Sequence, residues 1–373
     1  MIHHLRGLAL LGPLFLPGLA LAQAAQNPLN LFVSELRREG GVLHIGAPRN
    51  LTSDRGRNSQ PSFTPDGRAI VFSAVRDSTG QGDVYRIDLE SGAETRVTRT
   101  AENENSPTIT EAGELVAVRW VPATLFREWG LWIYSADGVP QKGVLPGPDT
   151  VGYYTRIDAR TWALMRPKSR PAVALFDAVS GTTHDIDWPV ANLPPQRIPG
   201  ADAISYTRTD STGKNELRRF DLKGSAPQSL GPAVLGRRVH AWLPDGTILM
   251  AKGNTIYGRG ATGDTAWKQL AAFSALELQD VTAYVVNREG TRLILTSPRR
   301  PPLVTMLRDQ VELGRTMADA VTRARGIRDS GKLDDWWVSE QDLAALASAR
   351  SRAGFPADSV LLADLSAEIY RKR

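Results

Sequence analysis

The fold is decided by the stretch Gln60-Pro61-Ser62-Phe63-Thr64-Pro65-Asp66-Gly67-Arg68-Ala69-Ile70-Val71-Phe72-Ser73. Its Pro-Asp-Gly centre predicts a tight turn, because Gly67 can take a positive φ and Asp66 can hydrogen-bond the local backbone. The consecutive apolar residues after Arg68 include β-branched side chains, which is typical of a strand buried on both faces. The stretch therefore predicts a hairpin whose second strand lies between two other layers.

This hairpin pattern returns along the chain at a regular spacing. The equivalent turn positions are Asp66, Ala112, Ala159, Ala201, Asp245 and Glu289. Successive positions are 46, 47, 42, 44 and 44 residues apart, and several short strands per unit of this length are typical of a β-propeller. We therefore expect an all-β fold, a six-bladed propeller over residues 29–300. An open β-solenoid or a sandwich is the alternative, but neither explains a shared period.

The two ends of the repeat region complement each other. The sixth unit has two strands between Val281 and Ser297, after which the prolines of residues 298–302 end the strand pattern. Residues 29–35 and 41–51 form two further strands before the first full unit. We expect these N-terminal strands to complete the last blade, because a closed ring leaves no open sheet edge.

The first unit carries a family resemblance in its hairpin (62–73), its next strand (83–89, Asp-Val-Tyr-Arg-Ile-Asp-Leu) and its ending (95–98, Thr-Arg-Val-Thr). These segments resemble the Pro-Asp-Gly propeller repeat of the TolB-like family, a repeat that also occurs in the propeller halves of prolyl-oligopeptidase-type peptidases. The resemblance spans residues 29–300 and implies a propeller that binds protein partners in the cell envelope.

The resemblance to TolB has two departures. Glu-Ala-Gly at 111–113 and Asp-Ala-Arg at 158–160 replace Pro-Asp-Gly, so no detail of partner binding is carried over. The N-terminal α/β domain of TolB has no room between Gln23 and Leu29.

Composition excludes several classes of function. The 373 residues contain no cysteine, which excludes disulfides, thiolate metal sites and a cysteine nucleophile. The formal net charge is +5, from 45 basic and 40 acidic residues. The longest basic run is the terminal Arg371-Lys372-Arg373, too short for the basic stripe of a nucleic-acid-binding protein. We expect no nucleic-acid partner.

Residues 1–22 have the pattern of a secretory signal peptide. Arg6 precedes an apolar run from Gly7 that ends in Ala20-Leu21-Ala22, and small residues in this spacing mark a cleavage site. A membrane anchor is the alternative, but the run is short for a bilayer and contains Gly-Pro and Pro-Gly pairs. We expect cleavage after Ala22, a periplasmic or secreted protein, and no transmembrane segment in its mature form.

The C-terminal segment 303–373 has a different periodicity. Apolar residues from Val304 to Ala324 recur mostly every three or four positions, which predicts an amphipathic helix. Two further helices are predicted, one of which begins at Ser339. This α-helical extension is either an interaction module or padding on the propeller surface.

The sequence contains no recognised catalytic constellation. The Gly-x-Ser-x-Gly pentad of a serine hydrolase is absent, and His44, His184 and His240 lie in different units. No phosphate-binding loop or dinucleotide fingerprint is present. We therefore predict no catalytic residue, no metal site and no cofactor.

Binding residues are predicted where each innermost strand begins, because polar side chains there would face the channel mouth. The candidates are Gln60, Asn105, Tyr154, Arg197, Arg237, Arg238, His240 and Asp280. A second set has residue types that anchor protein interfaces, namely Phe126, Arg127, Trp129, Trp336 and Trp337.

The leading functional hypothesis is a monomeric, non-enzymatic binding or scaffolding protein of the cell envelope with a protein or peptide partner. One alternative is a propeller enzyme of the lyase or hydrolase type, with a channel-mouth site that has no sequence signature. The other is an accessory subunit of a peptidase or transporter.

Overall fold

The computed structural model describes residues 29–298, with gaps at 53–55, 77–79, 121–129, 146–150, 225, 235, 263–264, 274–277 and 279. Within these ranges the regular secondary structure consists of β-strands. The predicted signal peptide (1–22) and helical extension (303–373) lie outside the described residues, as do the interface candidates Phe126, Arg127, Trp129, Trp336 and Trp337.

The strands, numbered in chain order, are β1 (Leu29–Glu39), β2 (Val42–Ile45), β3 (Arg49–Asn50), β4 (Arg57–Phe63), β5 (Ala69–Val75), β6 (Gly82–Asp88), β7 (Glu94–Arg96), β8 (Asn103–Ile109), β9 (Leu115–Trp120), β10 (Gly130–Tyr134), β11 (Pro140–Leu145), β12 (Tyr153–Arg156), β13 (Thr161–Arg166), β14 (Ala172–Asp177), β15 (Thr182–Asp187), β16 (Gln196–Arg197), β17 (Ala203–Thr209), β18 (Asn215–Asp221), β19 (Gln228–Pro232), β20 (Ala241–Trp242), β21 (Thr247–Lys252), β22 (Thr255–Gly260), β23 (Lys268–Ala272), β24 (Ala283–Val286) and β25 (Arg292–Pro298).

Four-stranded antiparallel sheets follow one another along the chain. They consist of β8–β11, β12–β15, β16–β19 and β20–β23, which we call the second to fifth units. A nine-stranded sheet holds the remaining strands. Strands β4–β7 form its first unit, and β24, β25 and β1–β3 form its closing unit. A single parallel pair, Leu29 with Arg57, joins the two units.

The closing unit brings the N-terminal strands against the last repeat, as the sequence predicted. Strand β1 runs antiparallel to β25, from the pair Leu29 and Pro298 to the pair Glu35 and Arg292. Strand β2 continues the same sheet on the other side of β1. Residues more than 250 positions apart are therefore held together by a continuous hydrogen-bond ladder.

Hydrophobic clusters lie between consecutive units. One cluster joins Val71 and Val84 of the first unit to Leu115 and Tyr134 of the second. Another contains Phe32 and Leu293 of the closing unit together with residues of the fifth. Each unit packs against the next in this way, and the fifth packs against the closing unit, so the units surround a common axis.

The repeated turn has the predicted construction. The Gly67 amide donates to the Thr64 carbonyl oxygen at 2.9 Å, and Gly67 has a φ of 65°. The Thr64 hydroxyl donates to the Asp66 carboxylate at 2.6 Å. Equivalent amide-to-carbonyl bonds of 2.9–3.0 Å close the turns at Gly113, Gly246 and Gly290. The turn at 111–113 thus keeps the glycine although its other two residues differ from Pro-Asp-Gly.

Ring closure can be tested at Ile294, which is fully buried and pairs with Val33 across β1 and β25. We expect Ile294→Ala to lower the free energy of unfolding by roughly 2–5 kcal/mol, because it removes buried methylene groups and leaves a cavity. Urea denaturation measures this loss. The matched control Val42→Ala, at an exposed position of β2, is expected to change stability by less than about 0.5 kcal/mol. Equal losses in the two variants would contradict a buried closure.

Candidate functional site

A cavity of about 1200 Å³ opens where the innermost strands run into their turns. We call this the turn-end cavity. Its lining includes residues of β4, β8, β12, β16, β20 and β24, the first strand of each unit. The cavity therefore lies on the axis of the ring, and each unit contributes to its wall.

The wall of this cavity combines apolar and charged side chains. Phe63, Ile109, Trp242 and Val285 contribute apolar surface. The charged residues are Glu111, Arg197, Asp202 and Arg288. Two acidic and two basic groups leave the wall close to neutral, so charge alone does not select a ligand of one sign.

An ion pair lies at the mouth of the turn-end cavity. The Arg288 guanidinium, in the turn after β24, donates to the Glu111 carboxylate, in the turn after β8, at 3.1 Å. Arg288 belongs to the closing unit and Glu111 to the second unit, and the first unit lies between them in the ring. Both side chains are more than three-quarters exposed (76% and 78%), so solvent screens the pair and it contributes little stability. The pair can therefore open at small cost.

Arg197 is the predicted binding residue that the structure places at the turn-end cavity. Its guanidinium donates to the carbonyl oxygen of Ile157 in the neighbouring unit at 2.8 Å, which fixes the side chain. Arg197 also lines a smaller cavity of about 460 Å³ between the turns of the second and third units. Because the two cavities share Ile109, Glu111 and Arg197, they form one groove that runs outward from the axis.

Trp242 is held in the cavity wall by a buried hydrogen-bond chain. Its indole Nε1 donates to Ser205 Oγ at 2.8 Å, and Ser205 Oγ lies 2.8 Å from His240 Nε2. Either Ser205 or His240 can donate in this contact, depending on the tautomer of the imidazole ring. Burial, and secondarily the charge of Arg259, lower the pKa of His240 to about 4. The His240 ring is therefore uncharged at neutral pH.

This chain positions the tryptophan and has no access to substrate. Ser205 and His240 have the residue types of a nucleophile and its base, but both are buried between the fourth and fifth units. His240 was predicted at the channel mouth, and the structure corrects this placement. Its side chain faces the neighbouring unit, where an apolar environment favours the neutral ring.

The other predicted binding residues do not form one group. Tyr154 is buried between units, where its hydroxyl donates to the carbonyl oxygen of Val116 at 2.8 Å, so its predicted place at the mouth is also wrong. Arg237 forms an ion pair with Asp280, next to the exposed Arg238, at the starts of β20 and β24. Asn105 lies at the corresponding end of β8. These residues lie at the end of the ring opposite the turn-end cavity.

Gln60 lies between the two ends of the channel. Its side-chain oxygen accepts from the Ser106 amide at 2.8 Å, and its side-chain nitrogen donates to the Tyr153 hydroxyl at 3.2 Å. Gln60 thus connects the innermost strands of three units. Gln60 and Ser106 have φ values of 54° and 51°, which is uncommon for residues other than glycine. Each precedes a proline in a strand irregularity.

A buried acid, Glu104, occupies the interface between the first and second units. Its carboxylate accepts from the hydroxyl of Thr98 at 2.9 Å and from those of Thr100 and Tyr134. Burial raises its pKa to about 7, and the nearby acids Asp83 and Glu102 act in the same direction. Those two acids have their own arginine partners, Arg96 and Arg119. Glu104 therefore titrates near neutral pH.

Sequence reasoning missed most of the turn-end cavity. It did not single out Phe63, Ile109, Glu111, Trp242 or Arg288 as members of one site. The available signal was the repeat itself, since equivalent turns of a closed ring must converge at one end.

The described ranges contain no group of three or more His, Asp or Glu residues placed to hold a metal ion. In the same ranges, no helix has the length and hydrophobicity needed to cross a membrane.

The neutral state of His240 predicts acid sensitivity. Because folding lowers its pKa from 6.5 to about 4, the stabilisation is present above pH 6.5 and is lost as the pH falls towards 4. At about 1.36 kcal/mol per pKa unit, the loss is up to about 3 kcal/mol. Urea denaturation at pH 7 and pH 4.5 should show a smaller decrease for His240→Gln than for the wild type. Equal decreases would contradict a buried neutral histidine.

Glu104 predicts the opposite dependence. Since folding raises its pKa from 4.5 to about 7, the folded state loses stability as the pH rises through this range, by up to about 3 kcal/mol. We expect the stability of Glu104→Gln relative to the wild type to increase between pH 5 and pH 8. The comparison uses the free energy of unfolding at both pH values. The exposed variant Glu90→Gln serves as the control and is expected to show no such change.

Comparisons with known proteins relate the chain to TolB. No family model matches the sequence. The Tol-Pal system protein TolB of Francisella tularensis subsp. holarctica is 28% identical over 188 residues, which cover 48% of this chain and 42% of that protein. An uncharacterised protein of Agrobacterium fabrum is 32% identical over 81 residues, 22% of this chain and 27% of that protein. The chain thus spans less than half the length of these curated relatives.

The fold is similar to a solved structure assigned to TolB from Agrobacterium tumefaciens. The TM-score is 0.55 at 13% sequence identity, over 74% of this chain and 99% of that structure. At this identity the likeness concerns the fold alone. The comparisons thus show similarity to TolB in sequence over about half of this chain and in fold over 74% of it.

Proposed function

We propose that this chain is a non-enzymatic, six-bladed TolB-like propeller that binds a protein partner in the cell envelope through the turn-end cavity. In this proposal the chain is exported by the signal at residues 1–22 and acts as a monomer in the periplasm. The helical extension at 303–373 is an additional module.

The six-blade count is supported by the sheets and the repeat together. The five units β4–β23 and the closing unit correspond one to one with the turn positions at 66, 112, 159, 201, 245 and 289. The closing unit takes β24 and β25 from the C-terminal side and β1 from the N-terminal side. This division makes six units of similar strand content.

The composition of the turn-end cavity carries the binding proposal. Protein interfaces have an apolar centre and a polar rim, and this cavity combines Phe63, Ile109 and Trp242 with charged groups such as Arg197 and Arg288. Trp and Arg are also the residues most often responsible for binding energy at interfaces. The groove towards the third unit extends the surface beyond what a compact ligand fills.

The envelope location is supported by the relatives. The matched proteins of Francisella tularensis are named as components of the Tol-Pal system, and the sequence carries a signal pattern. We therefore place the partner among envelope proteins, with a Tol-Pal role as the specific form of the proposal.

Site-specific photocrosslinking in the native cells tests the proposal. A benzophenone side chain at position 63, inside the cavity, should crosslink a defined envelope protein that mass spectrometry identifies. The same group at position 179, an exposed residue (77%) on the outer part of the third unit, should not. Arg197→Glu in the position-63 background should reduce the product several-fold, because it reverses a charge in the cavity wall.

Two results would contradict this function. One is the same set of crosslinked proteins from positions 63 and 179. The other is a position-63 product that is insensitive to Arg197→Glu and equally insensitive to the control Arg37→Glu, an exposed residue of β1 outside the cavity.

A further inference from the structure

A small polar cavity lies at the end of the ring opposite the turn-end cavity. Its volume is about 150 Å³, and it opens between the first and second units. The polar side chains that line it belong to β4, β5, β8 and β9, namely Arg57, Ser59, Ser73, Asn103, Asn105 and Trp120. It has room for about five water molecules, at about 30 Å³ for each, or for one compact chemical group.

Three of these side chains have hydrogen-bonding capacity to spare. In the part of the chain that the structure describes, no partner is present for the side chains of Arg57, Ser59 and Asn105. Each of the three can donate hydrogen bonds. Among the described residues, the cavity is therefore lined by three donors that no protein group satisfies.

The remaining wall is fixed by its own hydrogen bonds. Asn103 Oδ1 accepts from the Gly82 amide at 2.6 Å, and Ser73 Oγ donates to the Glu104 carbonyl oxygen at 2.7 Å. Asn103 and Ser73 are 5% and 4% exposed. These residues hold the shape of the cavity whether or not a ligand is present.

Gly82 lies close to the cavity wall, where a side chain would occupy part of the space. A Cβ atom added there would lie 3.3 Å from Ser73 Oγ and 3.5 Å from Asn103 Oδ1. Because Gly82 has no side chain, β6 can lie close to Ser73 and Asn103 without filling the cavity.

The charge of the cavity is positive. Among the described residues that line it, Arg57 is the only ionisable one. Glu104 lies between Asn103 and Asn105 in β8, but successive strand residues point to opposite faces. Its carboxylate accordingly bonds Thr98 and Thr100 inside the interface. Among the described lining residues, the Arg57 guanidinium therefore has no acid beside it.

We propose that this cavity binds a carboxylate group. A planar guanidinium can donate two parallel hydrogen bonds to the two oxygens of a carboxylate, and the Asn105 amide and Ser59 hydroxyl supply further donors for the same oxygens. The volume fits a small carboxylic acid or the terminal carboxylate of a peptide, which share this chemistry. The site is separate from the turn-end cavity and does not depend on the function proposed there.

Ligand-dependent thermal unfolding of the full chain tests the site. The probes are potassium acetate, the tripeptide Gly-Gly-Gly, its C-terminal amide and potassium phosphate, with potassium chloride at the same ionic strength as the reference. We expect at least one carboxylate to raise the melting temperature in a saturable way, and the amide not to do so. A response to acetate indicates a free acid as the ligand. A response to the tripeptide alone indicates a peptide terminus.

Variants separate the site from general salt effects. Arg57→Gln should weaken the carboxylate response at least tenfold in apparent Kd, and Asn105→Ala should weaken it less. The matched control Arg68→Gln removes the same charge from an exposed turn position and should respond like the wild type. The proposal is overturned if neither carboxylate raises the melting temperature more than chloride does, or if the amide raises it as much as the acid. It is also overturned if Arg57→Gln and Arg68→Gln respond alike, or if inorganic phosphate binds more tightly than both carboxylates.

Discussion

The structure depends on strands that are buried on both faces. In β5, Ile70 and Phe72 pack against the closing unit, whereas Val71 between them packs against the second unit. The same division recurs in β21, where Leu249 faces the closing unit and Ile248 faces the fourth. Because neighbouring residues of a strand point to opposite faces, each such strand needs an apolar partner on both sides. A ring of units satisfies every strand at once, and an open array would leave two faces exposed.

This constraint determines where polar chemistry can occur. Between the units, Ser205 is satisfied internally by Trp242 and His240, and Glu104 by three hydroxyl groups. Unsatisfied donors and acceptors are tolerated at the strand ends, where the channel reaches solvent. The two cavities lie at these ends, since there the wall can be polar without the cost of an unpaired buried group.

The sequence was informative about the turns and the ring closure because both depend on local chemistry or on the period. Gly67 and Asp66 require nothing beyond their own turn, and the pairing of β1 with β25 follows from the half-units at the two ends of the repeat. The orientation of channel residues depends instead on strand register. The ladders of β4 and β8 shift between Ser59 and Ser62 and between Asn105 and Thr108. Such a shift reverses the face of the residues before it, so counting back from the turn fails. The ladders of β12 and β20 are regular, so Tyr154 and His240 were misplaced for a different reason. Position along the strand does not give the face of a side chain, and the face that these two occupy is buried.

The irregularity in β4 separates the residues of this strand that line the two cavities. Arg57 and Ser59 precede it and face the small cavity, whereas Ser62 and Phe63 follow it and face the large one. Six residue steps of about 3.3 Å separate Arg57 from Phe63, roughly 20 Å, with Gln60 between them bonded to the second and third units. One strand thus presents a cation at one end and an aromatic ring at the other. Gln60 lies between Arg57 and Phe63 in the same strand, and the two cavities share no lining residue, so they are separate surfaces.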